Sequence, residues 1–342
     1  MCIVHPDIPF DLITMNNRRD LLLAITAVAF GLPMASIDAH AASSSFPDKP
    51  VKLIVPFPPG GSTDLIARLL AEKMSVILGQ QVVVDNRAGA GGTIGISAVA
   101  RAEPDGYTIG MATVSTHGAN PAVYTKLPYD PVKDFQPITN VMSVPSVFVV
   151  SPKLPVKNMQ EFIALAKSEP GKLTFASPGN GSLGHVNVEQ FMDLAGIKLT
   201  HVPYKGAGQA ATDALAGTVD AMTDNLPSSL PHIKSGKLRA LAVLSPQRSP
   251  LLPDVPTYRE LGFEAMSEGG WFGLVAPAGV PVPVIEKLMT SAHQAMQDPV
   301  FKQRTIEISG VPMANTPAQF AQQIREMMDK YARIAKVANI KL

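Results

Sequence analysis

Two serines stand where a protein can bind an anion without a basic side chain. Each follows a buried strand and a Pro/Gly turn, and each opens a helix: Ser62 follows Pro58-Pro59-Gly60-Gly61, and Ser182 follows Pro178-Gly179-Asn180-Gly181. The first N–H groups of a helix lack helical partners, and the helix dipole is positive there, so such ends attract anions. An ordinary tight βα turn explains either stretch alone equally well. The repetition of the pattern in two parts of the chain predicts a paired anion site.

An exported hydrolase or a nucleotide-dependent enzyme on the same frame is the alternative function. Ser182 and His185 are the residue types of a nucleophile and a base, but G-x-S-x-G fails because position 180 is Asn. The stretch 179–184 fits G-x-G-x-x-G, yet Tyr204-Lys205 follows the next strand where a ribose-binding acid is required. The five histidines from 117 to 293 lack metal-ligand spacing. We therefore predict no catalysis, no cofactor and no metal.

Residues 1–41 are predicted to be a signal peptide. Arg18-Arg19 is a basic start, Leu21 to Ala35 is apolar but short for a membrane span, and Ala39-His40-Ala41 is a small-x-small cleavage pattern. Residues 1–14 fit no part of such a signal, so Met15 is a second candidate for the initiator. The arginine pair loosely fits a twin-arginine signal, and ordinary secretion fits better. We expect a soluble periplasmic chain that starts near Ala42.

Composition excludes several classes of protein. Cleavage after Ala41 leaves 301 of the 342 residues, with 27 basic and 24 acidic side chains and a net charge of +3, which is too weak a bias to suggest nucleic acid. The only cysteine, Cys2, leaves with the leader, so no structural disulfide can form. Length and apolar content suit two lobes with cores of their own. We expect a monomer.

The order of predicted elements indicates an α/β fold of two lobes. Strands and helices alternate before residue 113 and again from 173 to 244, which predicts in each lobe a mostly parallel sheet flanked by helices. Ile138 to Val150, broken at Pro145, and Trp271 to Pro277 are predicted as two crossover strands. The lobes are then 42–142 plus 268–342, and 143–267. Ligands gather at the carboxyl ends of such strands, and closure is a hinge motion.

Further polar residues follow predicted strands and so belong to the expected cleft. Ser115 opens a polar loop after the strand 107–112. Asp224-Asn225 either bind a ligand amine or hydroxyl or cap a helix near Ser228, and Lys205 either pairs with a distal carboxylate or stays solvated. Asp64 is expected to support the first helix turn, and Trp271-Phe272 to form either hinge core or a wall of the site.

Seven stretches, in order along the whole expected mature chain, resemble the tripartite tricarboxylate transporter substrate-binding proteins, also called Bug receptors. As a set they are specific to that family, whereas single stretches are not. They are Pro58 to Asp64, Asn86-Arg87-Ala88-Gly89-Ala90-Gly91-Gly92, Pro104-Asp105-Gly106-Tyr107-Thr108, Ser177 to Ser182, Val202-Pro203-Tyr204-Lys205-Gly206, Asp224-Asn225-Leu226-Pro227-Ser228 and Trp271 to Pro277.

The resemblance implies a two-lobed, Venus-flytrap periplasmic binding protein of type II-like fold, without catalysis. It implies a small carboxylate between the lobes and delivery to membrane subunits of a tripartite tricarboxylate transporter. Where the family often has an aromatic residue before Asp224, this chain has Thr223, which leaves the choice of ligand open. With Ser115, the predicted ligand contacts are Phe57, Gly60, Gly61, Ser62, Ser177, Gly179, Asn180, Gly181, Ser182, Tyr204, Lys205 and Asp224.

Overall fold

A computed structural model describes residues 46–342, so the predicted signal peptide, its cleavage site and Met15 lie outside the described residues. The strands are β1 (Val51–Val55), β2 (Val82–Asn86), β3 (Thr108–Thr113), β4 (Phe135–Val144), β5 (Ser146–Val150), β6 (Thr174–Ser177), β7 (Thr200–Pro203), β8 (Ala221–Asn225), β9 (Arg239–Leu244), β10 (Gly270–Pro277) and β11 (Val311–Pro312).

Helices flank these strands throughout the described chain. They are α1 (Ser62–Leu78), α2 (Thr93–Ala100), α3 (Asn120–Val123), α4 (Met159–Ser168), α5 (Leu183–Ala195), α6 (Ala207–Ala216), α7 (Leu226–Lys234), α8 (Val282–Gln297), α9 (Pro299–Glu307) and α10 (Pro317–Val337). A 3₁₀ turn covers Ala90–Gly92, and a π-helical turn covers Ser115–Ala119.

The strands form two sheets, and each sheet is the centre of one lobe. The first lobe contains the order β11-β4-β10-β3-β1-β2, and the second contains β7-β6-β8-β5-β9. Pro145 alone separates β4 in the first sheet from β5 in the second, and β10 carries the chain back into the first. The two-lobed α/β fold and the two crossings are as predicted.

Each sheet is mixed, because most of its strands run in one direction and the strand that enters from the other lobe runs against them. β1 pairs in parallel with β2 and β3, and β6 with β7 and β8, but β10 and β5 run antiparallel to both of their neighbours. The reason is topological, because β5 and β10 are the strands that enter a lobe from the other lobe. Each begins at the edge where the parallel strands end and runs away from it.

Apolar residues at helical and strand spacing build cores on both faces of each sheet. In the first lobe, α1 and α8 cover one face, while α10 covers the other with Phe320, Ile324, Met327, Tyr331 and Ile334, which fall on one side of the helix. In the second lobe, α4 and α5 cover one face and α6 and α7 the other. None of the helices within residues 46–342 is both long and apolar enough to cross a membrane.

Candidate functional site

The first corner, Phe57 to Asp64, is held in shape by one carboxylate. Asp64 Oδ2 accepts hydrogen bonds from the Gly60 N–H and from Arg68 Nε, both at 3.0 Å, and its Oδ1 accepts one from Asn86 Nδ2 at 2.9 Å. Burial raises the pKa of Asp64, but the hydrogen bonds from Arg68, Gly60 and Asn86 outweigh burial and hold the pKa below its ordinary value. Asp64 therefore supports the first helix turn, as predicted.

The second corner, Ser177 to Ser182, is held by histidines. Ser182 Oγ accepts the His185 backbone N–H at 3.3 Å and so caps α5, while the Gly181 N–H donates to His185 Nδ1 at 3.2 Å. The His185 ring stacks on His201 with centroids 4.1 Å apart, and His201 Nε2 lies 2.7 Å from Ser177 Oγ. Burial and then the charge of His185 lower the pKa of His201 to about 3, so His201 is neutral at neutral pH.

These contacts do not form a nucleophile and base. The Ser182 hydroxyl accepts a backbone N–H of His185, and the Nδ1 of the same histidine is occupied by the Gly181 N–H. A serine nucleophile requires its own proton to be directed at the imidazole. Within residues 46–342, no three His, Cys, Asp or Glu side chains are grouped closely enough to hold a metal ion.

Two first-lobe serines reach the starts of second-lobe helices. Ser62 Oγ lies 2.7 Å from Ser228 Oγ and accepts the Ser228 N–H at 3.1 Å, in the first turn of α7. Ser115 Oγ accepts the Leu183 N–H at 2.9 Å, at the first residue of α5. The N-terminus of α1 in the first lobe thus faces the N-termini of helices in the second lobe.

Two glycines allow the lobes to come this close. A Cβ atom on Gly91 would lie 2.3 Å from the Asn180 carbonyl oxygen, and a Cβ on Gly206 would lie 2.3 Å from Pro58 Cδ. The Tyr124 hydroxyl donates to the same Asn180 carbonyl at 3.0 Å. The second corner therefore packs its backbone against the first lobe's loop at Ala90–Gly92.

A cavity of about 40 Å³ lies between these helix starts. Its polar wall includes side chains from both lobes: Ser62, Thr63, Thr113 and Ser115 from the first, and Ser146, Thr223, Asp224 and Asn225 from the second. Its apolar wall includes Phe57, Val114, Leu183, Trp271 and Phe272. The lobes are therefore close together in this arrangement, and the space between them holds a few water molecules.

Helix N-termini rather than basic side chains set the electrostatics of the cavity. Ser62 at the start of α1, Leu183 and Gly184 at the start of α5, and Ala207 at the start of α6 all line it. Among the lining residues of the described chain, Asp224 is the only one with an ionisable side chain. The arrangement can therefore hold an anion through backbone N–H groups and hydroxyls.

Asp224 has the geometry of a helix-supporting residue. Its Oδ2 accepts hydrogen bonds from Ser228 Oγ at 2.6 Å and Ser229 Oγ at 2.9 Å, and its Oδ1 accepts the Asn225 N–H at 2.7 Å. Burial raises the pKa of Asp224, although these three hydrogen bonds act against the rise. Of the two roles considered for Asp224, these bonds favour the support of α7, and the side chain also borders the cavity.

The structure brings some of the predicted contacts together and keeps others apart. Five line the cavity: Phe57, Gly61, Ser62, Ser115 and Asp224. Of the rest, Gly60 donates to Asp64, and Ser177, Gly179, Asn180, Gly181 and Ser182 build the second corner outside that lining. The Tyr204 hydroxyl donates to Asp213 at 2.6 Å, and Lys205 is exposed. Their roles as ligand contacts stay predictions.

Several lining residues had not been selected from the sequence. Thr113 ends β3, Ser146 begins β5, Gly184 follows the capping serine, and Gly270 begins β10. A systematic choice of the last residue of each parallel strand and the first residue of each crossing strand would have found Thr113, Ser146 and Gly270. Trp271 and Phe272 were considered either as hinge core or as a wall of the site. Both are buried and both line the cavity, so the two descriptions apply at once.

The fold and this interlobe cavity define a two-lobed solute-binding protein. The chain belongs to a family described as the tripartite tricarboxylate transporter family receptor, whose model matches residues 66–340. This confirms the resemblance seen in the sequence. Members of the family are periplasmic receptors rather than enzymes, which removes the hydrolase and nucleotide-dependent alternatives.

Three proteins illustrate the similarity. Protein BugT of Bordetella pertussis is 38% identical over 329 residues, which cover 96% of this chain and 100% of BugT. The structure of Rpa4515 from R. palustris with adipate is 34% identical, with a TM-score of 0.84, over 86% of this chain and 99% of that one. The structure of MatC (Rpa3494) from Rhodopseudomonas palustris with bound malate is 34% identical, with a TM-score of 0.82, over 84% and 99%.

Proposed function

We propose that this chain captures a small dicarboxylate between its lobes in the periplasm and delivers it to the membrane subunits of a tripartite tricarboxylate-type transporter. The observation that carries the proposal is the meeting of helix N-termini from both lobes around a cavity whose lining contains no basic side chain. Two facing anion sites, one on each lobe, suit a ligand with a carboxylate at each end.

The apolar wall between the helix starts supports a short carbon spacer in that ligand. Phe57, Val114 and Phe272 offer contacts to methylene groups, whereas the hydroxyls of Ser62 and Ser115 suit the carboxylate ends. Adipate and malate, which are present in the structures of two relatives, are both dicarboxylates. In this proposal the predicted lobes, 42–142 plus 268–342 and 143–267, each supply one carboxylate site and separate at the crossings to admit the ligand.

The direct test is calorimetry and thermal unfolding of the mature chain with adipate, malate, citrate and acetate. A dicarboxylate at a hundred times its dissociation constant should stabilise the protein by about 2.7 kcal/mol, whereas acetate, with a single carboxylate, should bind far more weakly. The proposal fails if the folded protein shows no heat of binding and no thermal stabilisation with any dicarboxylate.

A matched pair of serines locates the binding in the cavity. Ser115→Ala removes a cavity hydroxyl and should weaken dicarboxylate binding by about 1 kcal/mol or more. Ser97→Ala is the control, because Ser97 Oγ is buried and donates to the Thr93 carbonyl within α2, outside the cavity lining. Equal affinities of the two variants would move the binding site elsewhere.

The remaining parts of the proposal need separate measurements. Uptake of radiolabelled dicarboxylate by cells should require both this chain and a tripartite tricarboxylate membrane partner. N-terminal sequencing of protein recovered from the periplasm should give a start near Ala42, and light scattering should give the mass of a monomer. Uptake unchanged in a strain that lacks the chain would contradict delivery while leaving the binding result intact.

A further inference from the structure

A second and much larger cavity, of about 660 Å³, lies where the two crossing segments meet. Its walls are Ser143–Pro145 and Glu268–Trp271 from the crossings, Ser245–Leu251 from the second lobe, and parts of α9 and α10 with the segment between them. Its volume falls within the usual range of small-molecule sites, whereas the interlobe cavity is far smaller.

This second cavity, called the seam cavity below, has a mainly apolar wall. Val144, Leu251 and Met327 contribute side chains, and Ile306 and Val311 extend the apolar surface. Ile306 and Val311 are 64% and 58% exposed, which is unusual for large hydrophobic residues that border a concave site. An apolar body placed here would cover both side chains.

The indole of Trp271 adds an aromatic surface to this wall. Trp271 is 2% exposed and lines the seam cavity as well as the interlobe cavity. Its Nε1–H is buried and has no hydrogen-bond partner among the described residues. Because that atom is buried, a molecule in the seam cavity contacts the ring of Trp271 rather than this donor.

The charged groups at the seam cavity are already paired. Arg248 Nε lies 2.9 Å from Glu260 Oε2, and Glu268 Oε2 lies 2.9 Å from Lys330 Nζ. The wall therefore offers no unpaired charge, and an ionised ligand would lose its hydration without gaining an ion pair.

We propose that the seam cavity is a second binding site, separate from the carboxylate cleft, for an uncharged and mainly apolar small molecule that packs against Trp271. The size of the cavity suits a compound of two or three rings. The site is distinct in chemistry from the cleft, because the cleft presents helix N-termini and hydroxyls whereas the seam cavity presents alkyl and thioether side chains.

The test uses prodan, an uncharged two-ring aromatic ketone whose emission shifts to the blue in apolar surroundings. Trp271 is the only tryptophan of the chain, so energy transfer from it reports a probe bound nearby. We expect saturable binding of one prodan per chain, a blue-shifted emission and quenching of Trp271 fluorescence. Binding should persist with saturating adipate.

Two isoleucine variants supply the control. Ile306→Glu places a carboxylate on the wall of the seam cavity and should weaken prodan binding by about tenfold or more. Ile94→Glu makes the same change at a 55% exposed residue of α2 that lines neither cavity, and it should bind prodan as the parent chain does.

The proposal is overturned if prodan shows no saturable binding or is expelled by adipate. It is equally overturned if the two glutamate variants bind prodan with the same affinity. Both variants should keep the thermal stability of the parent chain, because both isoleucines are exposed.

Discussion

The two corners share one sequence pattern and use it in opposite ways. In the first, a carboxylate holds the turn, and Ser62 is left free to cross to Ser228 of the other lobe. In the second, the imidazoles of His185 and His201 hold the turn, and Ser182 is used within its own helix as a cap. Similar local sequence therefore predicts similar local structure, but the two serines differ by one position: Gly61 is the N-cap of α1 and Ser62 its first residue, whereas Ser182 is itself the N-cap of α5.

The largest effect is expected from a glycine at the contact between the lobes. Gly91→Ala places a methyl group 2.3 Å from the Asn180 carbonyl oxygen, so the lobes cannot approach as they do here. We expect dicarboxylate affinity to fall by about tenfold or more, as measured by calorimetry.

Gly79→Ala is the matched control for that variant. Gly79, at the end of α1, also has a positive φ, of 68°, but a Cβ there would meet nothing within 4 Å. It should lose about 1 kcal/mol of stability from backbone strain and keep most of its affinity. If both variants lost affinity equally, strain rather than interlobe contact would explain the result.

The carboxylate network of the first corner should be the next most sensitive feature. Asp64→Asn replaces one acceptor by an amide that faces the donors of Gly60, Arg68 and Asn86, so the free energy of unfolding should fall by about 2–3 kcal/mol. Chemical denaturation measures the change. Asp85→Asn, which loses only the ion pair with Arg87, should cost less than about 1 kcal/mol.

Acid should affect the second corner before the first. The pKa of His201 is about 3 in the folded protein and 6.5 ordinarily, so on acidification the unfolded chain binds a proton at His201 before the folded chain does. The free energy of unfolding should therefore decrease as pH falls from 6.5 towards 3. The lowered pKa of Asp64 keeps its stabilisation in place above the ordinary value of 3.8.

Amide exchange of Gly181 and Gly60 measured by NMR distinguishes the two corners. Local opening of the second corner exposes His201 to protonation, so the Gly181 N–H should lose protection gradually as pH falls from 6.5 towards 3, while the Gly60 N–H keeps its protection above 3.8. Simultaneous loss at both amides would show that the corners do not respond separately. His201→Gln should flatten the dependence of stability on pH across the same interval.

The smallest expected effects come from the serines themselves. Ser182→Ala removes an N-cap and should lower the free energy of unfolding by about 1 kcal/mol. Ser62→Ala should change stability less and dicarboxylate affinity more, because Ser62 Oγ lines the cavity. Chemical denaturation and calorimetry on both variants measure these changes. If Ser182→Ala bound the dicarboxylate more weakly than Ser62→Ala, Ser182 rather than Ser62 would be the ligand contact.

The sequence predicted the local structure better than the pairing of distant groups. The alternation of strands and helices before residue 113 and from 173 to 244, and the two crossings, were predicted from hydrophobic spacing and turn residues. The antiparallel direction of β5 and β10 can be predicted only once it is known that these strands enter a lobe from the other lobe. Similarly, the Ser115 contact with the Leu183 N–H joins residues 68 apart, and no local pattern contains it.

α9 and the π-helical turn escaped prediction for a different reason. α9 (Pro299–Glu307) buries only Phe301 and Thr305, so its sequence lacks a continuous apolar face. The π-helical turn at Ser115–Ala119 was expected as a polar loop, yet all five of its residues are buried. The Thr116 carbonyl is satisfied inside the lobe, because it accepts the Tyr129 hydroxyl at 2.5 Å, whereas the buried His117 Nε2 has no partner among the described residues. Composition alone does not reveal such burial.

The single residue between β4 and β5 has a mechanical consequence. Pro145 has a fixed φ, and its carbonyl accepts the Leu226 N–H at 2.8 Å, so this joint has few torsions left to rotate. We therefore expect this connection to be stiff and to allow the lobes only a narrow range of open conformations. A narrow range means that little conformational entropy is lost when the lobes close, which favours binding of even a very small ligand.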